Sequence, residues 1–221
     1  METFVVRVWV PDRPGALGQV ASRIGAVRGD VVGIDILERG AGRAIDELVV
    51  ELPDSTLVSL LLAEIGQVDG VDVEDVRPAP AEIADPRLDA LETAAILVGA
   101  RTECDLVTSL VAHAGRNFAA EWAVVVDLDE RALRASHGAP PPPGWLVAFV
   151  TGSQSSAVVC AGECGPDDVA WSTLGTSGLA LILGRQGRPF RAKERHQLAA
   201  LCRIAQYVLV NLGLDRRAVT R

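Results

Sequence analysis

The residues best suited to chemistry in this chain are Asp12-Arg13-Pro14-Gly15-Ala16-Leu17. The β-rich run Val8-Trp9-Val10 stops at Pro11, and a helical pattern starts a few residues later. Pro11 and Pro14 restrict the backbone of this corner, and Asp12 is expected to be the N-cap of the following helix. Gly15 has no side chain, so another molecule can approach the first turn. Unbonded N–H groups at a helix start, with the helix dipole behind them, favour an anion such as a carboxylate. The chemistry implied is recognition of a small ligand, not bond breaking. The same residues are also ordinary turn formers, so the elements that hold them carry weight.

A second constellation points to catalysis. Val124-Val125-Val126-Asp127-Leu128-Asp129 resembles the nucleophile strand of haloacid-dehalogenase-type phosphatases, and Val150-Thr151-Gly152 and Gly162 to Asp168 echo their later motifs. That resemblance implies Asp127 as nucleophile, Asp129 as acid/base and Asp168 as a Mg²⁺ ligand. Spacing opposes it. Such motifs sit on parallel strands, each needing a crossover of a dozen or more residues. Between Asp129 and Val147 the chain has a short polar run and four prolines, and Lys193, its sole Lys, follows the last motif. An acidic turn after a buried strand is the preferred explanation, with the phosphatase kept as an alternative.

Other catalytic patterns are weaker. His113 and His196 fall within helical patterns, and neither a Gly-x-Ser-x-Gly elbow nor a phosphate loop is present. Cys104 and Cys202 occupy apolar positions of predicted helices, while Cys160 and Cys164 share a Gly-rich loop without a second ligand pair. No metal or cofactor is expected.

Composition narrows the class. The 221 residues are 49% hydrophobic, enough for a large domain or two small ones with real cores. The densest apolar run, Leu57 to Ile65, is broken by Ser59 and Glu64 and falls well short of a membrane span. The N-terminus lacks a basic segment before an apolar core, so a cytoplasmic location is expected. A net charge of −8 disfavours nucleic acid and anionic membranes as partners.

The elements that must position the corner are legible. Residues 3–10 alternate, with Phe4, Val6, Val8 and Val10 on one face and Val5, Arg7 and Trp9 on the other. Leu17, Val20, Ala21 and Ile24 recur at helical spacing until Gly29-Asp30. Val31 to Glu38 predicts a second strand with Val32, Ile34 and Ile36 on one side. Gly40-Ala41-Gly42 predicts a hairpin turn, and Ala44 to Leu52 a third strand. Pro53-Asp54-Ser55 opens a second helix with Leu57, Val58, Leu61 and Ile65 inward, and Val71 to Val76 supplies the last strand. The order is βαββαβ, a ferredoxin-like plan with two helices on one side of a four-stranded sheet. The open face around Trp9 should then meet another copy or another domain.

Residues 3–78 resemble an ACT domain, a regulatory module that commonly binds amino acids. The resemblance is carried by the Pro11 to Leu17 corner, the helix through Ile24, and Gly29-Asp30-Val31-Val32-Gly33-Ile34-Asp35-Ile36. It implies a ligand lodged between two modules: Asp12 would receive an ammonium group, and the backbone at Gly15, Ala16 and Leu17, beside Pro14, would face a carboxylate. Ile34 and Asp35 would come from the paired chain. The implied partners are an amino acid or similar small zwitterion, a second copy in a homodimer, and a downstream protein.

A Pro-rich linker is placed at 79–86, dividing an N-terminal domain, 1–78, from a second, 87–214. In the second, Leu88, Leu91, Ala95 and Val98 predict one inward helix stripe. Thr102 with Asp105 predicts a capped helix with Leu106, Val107, Leu110, Val111 and Ala114 inside. Glu121 to Leu128 and Arg131 to Ser136 predict two strands, while Trp145 to Val150 is ambiguous between strand and helix. Asp168 to Leu174 and Leu179 to Arg185 predict a hairpin, closed by a long helix through Leu198, Leu201, Cys202, Ala205, Val208, Leu209 and Leu212.

This hairpin, Gly187-Arg188-Pro189-Phe190-Arg191-Ala192-Lys193-Glu194 and the final helix resemble a GAF domain. Signatures of its cyclic-nucleotide and bilin binders do not appear. The expectation is an α+β chain: a ferredoxin-like βαββαβ module followed by a GAF-like antiparallel sheet with flanking helices. It is read as a non-catalytic, dimeric, amino-acid-responsive regulator, with an interaction scaffold lacking any small ligand as a further alternative.

Overall fold

A computed structural model describes residues 1–79, 86–155, 166 and 168–213. The chain divides into two compact units, Met1–Ile83 and Ala84–Arg221.

The first unit runs β1 (Glu2–Pro11), α1 (Ala16–Ala26), β2 (Asp30–Gly40), β3 (Arg43–Leu52), a 3₁₀ turn (Ser55–Leu57), α2 (Val58–Ile65) and β4 (Asp72–Pro78). Its antiparallel sheet has the order β2-β3-β1-β4, so the ferredoxin-like plan holds and β2 is an edge strand. The hairpin between β2 and β3 turns on Ala41 and Gly42, both at positive φ, the backbone that a two-residue turn between twisted strands demands. Asp54 accepts the Thr56 amide at 2.9 Å and starts the second helical segment. Phe4, Val6, Val8 and Val10 meet Val20, Ile24, Leu61 and Ile65 in one core.

The opposite face differs from the largely apolar one expected. Arg7 is only 1% exposed and its Nη2 lies 2.7 Å from Glu47 Oε2. Glu47 Oε1 also takes Arg77 at 2.8 Å, and Arg77 reaches Asp75 at 2.7 Å. An ion-paired layer therefore runs between Val5, Trp9 and Ile45. The helix end also differs in detail: Arg28, not Gly29, takes the left-handed backbone after α1, and Gly29 donates to Ile24 O at 3.0 Å.

The second unit comprises α3 (Pro86–Val98), α4 (Glu103–Asn117), β5 (Trp122–Asp127), β6 (Ala132–His137), α5 (Pro143–Gln154), β7 (Val169–Thr173), β8 (Leu179–Gly184) and α6 (Ala192–Asn211). Its antiparallel sheet has the order β6-β5-β8-β7. Val125, Leu181 and Leu183 join α4 and α6 in one core, and Val124, Val126 and Ile182 meet Leu146, Val147 and Val150 of α5 in another. The sheet is thus covered on both faces, as its near-continuous apolar strands require. The Thr102 side chain accepts the Asp105 amide at 3.1 Å, and all five inward residues expected of α4 are buried.

One open reading is resolved and two expectations change. Trp145 to Val150 is helical, with Pro142 as N-cap and Pro143 opening the helix, where a missing N–H costs nothing. The α3 stripe is reversed: Leu88, Leu91 and Val98 are exposed, whereas Thr93 and Leu97 are buried. Thr93 Oγ1 meets His113 Nδ1 at 3.2 Å and the Asn117 side-chain amide at 3.0 Å, so bonds to α4 fix the rotation of α3. Cys104 is exposed, while Cys202 is buried and its thiol is pushed up to about 12 by that burial. Cys160, Cys164 and most of the 79–86 linker lie outside the described residues.

Candidate functional site

The corner after β1 is tied to the neighbouring hairpin: the Asp12 amide donates to Gly42 O at 2.9 Å and the Arg13 amide to Pro11 O at 2.8 Å. Gly15 then takes φ 85° and ψ −12°, and α1 begins at Ala16. Asp12 is not the N-cap. The cap position is Gly15, and it receives no side-chain cap hydrogen bond. The reason is Pro14: its ring keeps Arg13 out of the helical region, so no helix can start directly after Asp12.

The later helix start strengthens the site. Only the Ala16 amide of the first turn is engaged, with Arg13 O at 3.3 Å, while Gln19 makes the first full helical bond, to Gly15 O at 3.1 Å. The amides of Gly15, Leu17 and Gly18 donate to nothing among the described residues. A Cβ placed on Gly15 would meet nothing within 4 Å. The first turn of α1 therefore carries unengaged donors at the positive end of the helix dipole, with space open beside Gly15, a combination that favours a carboxylate.

Beside the corner runs the edge strand β2, on which Val32, Ile34 and Ile36 are exposed, Ile34 by 52%. Register places Ile34 opposite Leu48 and Ile36 opposite Asp46, on the sheet side that carries α1. Asp35 lies opposite Glu47, on the other face. Among the expected site residues the structure thus gathers Asp12, Pro14, Gly15, Ala16 and Leu17 at one corner. Ile34 and Asp35 sit on β2 with their side chains on opposite faces, as strand alternation requires.

One residue of this region escaped the sequence reading. Asp46 interrupts the inward series Ala44, Leu48, Val50 and Leu52 of β3, yet it is only 4% exposed. Its Oδ1 has no hydrogen-bond partner among the described residues. Burial pushes its carboxyl above the ordinary value; Arg39 opposes that shift, and Asp12 and Asp35 add to it. A carboxylate at an inward position of an apolar alternation was the signal available.

The phosphatase alternative does not survive the geometry. Asp127 Oδ1 accepts the amides of Asp129 at 3.0 Å and Glu130 at 2.9 Å, and Oδ2 takes Arg134 Nη2 at 2.6 Å. Burial would raise its carboxyl, but the Glu130 amide, Arg134 and the Asp129 amide hold it below the ordinary value. It anchors the β5–β6 turn. The sheet is antiparallel throughout, and Thr151 and Gly152 lie inside α5 instead of at a strand end. Among the described residues there is no cluster of three or more His, Cys, Asp or Glu able to hold a metal ion.

The Gly187 to Glu194 segment is also architectural. Arg185, 2% exposed, donates to Phe118 O at 2.7 Å, Arg188 O at 2.9 Å and Glu194 Oε2 at 2.8 Å, and its guanidinium lies 4.0 Å from the Phe190 ring centroid. Glu194 also accepts the Arg191 amide at 2.8 Å, locking the start of α6. No helix among the described residues is long and apolar enough to cross a membrane.

No family model matches the chain. No curated protein matches it either. Among solved structures, the chain is similar to the ACT domain from the GTP pyrophosphokinase of Chlorobium tepidum, at 17% identity over 35% of this chain and 97% of that one, with a TM-score of 0.29. It is similar to an unknown protein from Galdieria sulphuraria at 15% identity, over 96% of this chain and 94% of that one, with a TM-score of 0.34. A bacteriophytochrome from R. palustris is 11% identical over 83% of this chain and 48% of that one, with a TM-score of 0.37. Scores this low carry no weight for function, which leaves the geometry of the corner itself.

Proposed function

We propose that the chain is a non-catalytic regulatory protein whose N-terminal module, residues 1–78, binds a small α-amino acid at the start of α1. The linker 79–86 joins it to a GAF-like sensor, 87–214. The observation that carries the proposal is the uncapped first turn: a left-handed Gly15 facing open space, with amides at Gly15, Leu17 and Gly18 unengaged among the described residues. The ligand's carboxylate sits against Gly15, Ala16 and Leu17, flanked by Pro14, with Asp12 on the ammonium side. Ile34 and Asp35 come from the second copy of a homodimer. The exposed apolar side chains of edge strand β2 support such pairing, because an uncovered apolar edge favours association. Ligand binding between copies shifts how they, or the downstream partner, are packed.

The test is a thermal-unfolding screen of the full chain against the standard L-amino acids. A ligand at a hundred times its Kd stabilises by about 2.7 kcal/mol, so one or a few amino acids should raise Tm clearly. Gly15→Val should abolish that rise while the chain remains folded. If no amino acid raises Tm, the binding proposal fails. The interaction-scaffold alternative then leads, favoured by the exposed Leu88, Leu91 and Val98 on α3.

A further inference from the structure

The first helix of the second unit turns its larger apolar side outward. Leu88, Leu91, Ala95, Ile96 and Val98 of α3 are exposed, Leu91 by 69%, and Glu92 is the one charge set among them. Thr93 and Leu97 face inward, and the bonds from Thr93 to His113 and Asn117 hold this rotation. A contiguous apolar helix face left in water marks an association surface. Its spacing narrows the kind. Leu88, Leu91, Ala95 and Val98 recur at intervals of three, four and three residues, the seam along which helices pair side by side. The neighbouring helix repeats the pattern. α3 packs against α6, on which Ala200, Arg203, Tyr207 and Val210 have the same intervals, and the last three are exposed, Tyr207 by 67%. Both helices send their buried residues into one core, Leu97 from α3 and Leu198, Cys202 and Ala205 from α6, and neither seam belongs to it.

We infer that this surface holds a second copy of the chain, with α3 of each copy laid along α6 of the other in a helix bundle. Charge selects that occupant. Glu92 borders the α3 seam and Arg203 stands in the α6 seam, and neither side chain has a hydrogen bond or ion pair among the described residues. The acid lies on one helix and the base on the next, so the surface complements itself when turned about a two-fold axis: Glu92 of each copy meets Arg203 of the other. Pairing α3 with α3 would instead bring Glu92 towards Glu92. Tyr207 adds an aromatic body whose hydroxyl can stay in water at the rim. This pairing needs no ligand, so a failed amino-acid screen leaves it standing. It also bears on the first unit, because tethering two N-terminal modules to one dimer raises their effective concentration for each other.

The experiment is analytical sedimentation of the full-length chain in a dilution series at low ionic strength, where exposed charges are least screened. Leu91→Gln, Glu92→Arg, Arg203→Glu and the double variant carrying both charge reversals are run beside the unmodified chain. All three positions are exposed, so each variant should keep the Tm of the dilute unmodified chain. The unmodified chain should dimerise. Burying a Leu side chain is worth about tenfold or more in an equilibrium constant, and a symmetric dimer buries it in both copies. Leu91→Gln should therefore raise the Kd of the dimer by about a hundredfold or more. Each single reversal should raise it by about fivefold or more, because attraction becomes repulsion at both symmetric contacts. The double variant restores each pair in the opposite sense and should return to within about twofold of the unmodified chain. A chain that stays monomeric throughout the series overturns the proposal. So does a dimer whose Kd ignores Leu91→Gln, as one joined only through β2 would, and so does a double variant no tighter than the single ones.

Discussion

Replacing Gly15 separates the backbone of this corner from its function. At φ 85° and ψ −12° the residue is left-handed, and no atom lies within 4 Å of where a Cβ would be. A methyl group therefore meets no clash, and the cost of Gly15→Ala is torsional. The left-handed region costs an L-residue about 1–2 kcal/mol, and Ala recovers about 0.4–1 kcal/mol by restricting the unfolded chain. The net loss is about 1 kcal/mol, or about 4–8 °C in Tm for a unit of this size. Asn tolerates the left-handed region and should cost less than Ala; β-branched Val should cost more.

Ligand binding should rank these variants differently, because any side chain added at Gly15 enters the open space that the proposal gives the ligand, and a larger one fills more of it. Gly15→Asn is the discriminating variant: near-native Tm by differential scanning calorimetry, with the amino-acid-induced rise lost. A higher Tm for Gly15→Ala would refute the left-handed backbone, because the torsional cost at least offsets what Ala recovers. A loss above about 3 kcal/mol would exceed any torsional cost and show that the space is filled. Full ligand response in Gly15→Asn would refute the site.

Two further outcomes concern the second unit. Leu97→Ala should cost about 2–5 kcal/mol in urea unfolding, since Leu97 is fully buried. Leu91→Ala, at a residue 69% exposed, should stay within about 0.5 kcal/mol in dilute samples; the reverse order would mean that α3 is rotated. Asp127→Asn should cost about 1–3 kcal/mol at neutral pH, because it weakens the bonds from Arg134 and the Asp129 and Glu130 amides. A folded-state carboxyl held below its unfolded value adds stability above the unfolded pKa and loses it as pH falls through the folded one. Urea unfolding from neutral pH to about pH 2 should therefore show a shallower acid decline for Asp127→Asn; parallel declines would contradict the Asp127 network.

Much of the fold was legible because its signals are local. Alternation in β1 and β3, the Ala41-Gly42 turn and the caps at Asp54 and Thr102 each depend on a few neighbouring residues. Two features depend on distant partners and were not legible. The α3 helix is apolar on several sides, so periodicity alone does not say which side is inward; Thr93, bonded to His113 and Asn117 some twenty positions on, decides it. Trp145 to Val150 fits either period, and Pro143 at the helix start together with the apolar sheet face beneath it selects the helix.

At the candidate site the division is sharper. Residue types alone determined a Pro/Gly corner before an amphipathic helix, and with it the kind of chemistry on offer: main-chain donors facing a small anion. Tertiary structure decided that Asp12 does not cap α1, because Pro14 delays the helix, and that the donors consequently stay unengaged within the described residues. It also decided that Asp46, one charged residue among many in the sequence, is taken out of water when β1 and β2 close on either side of it. Burial and the absence of a partner are properties of packing, and no local pattern of residues encodes them.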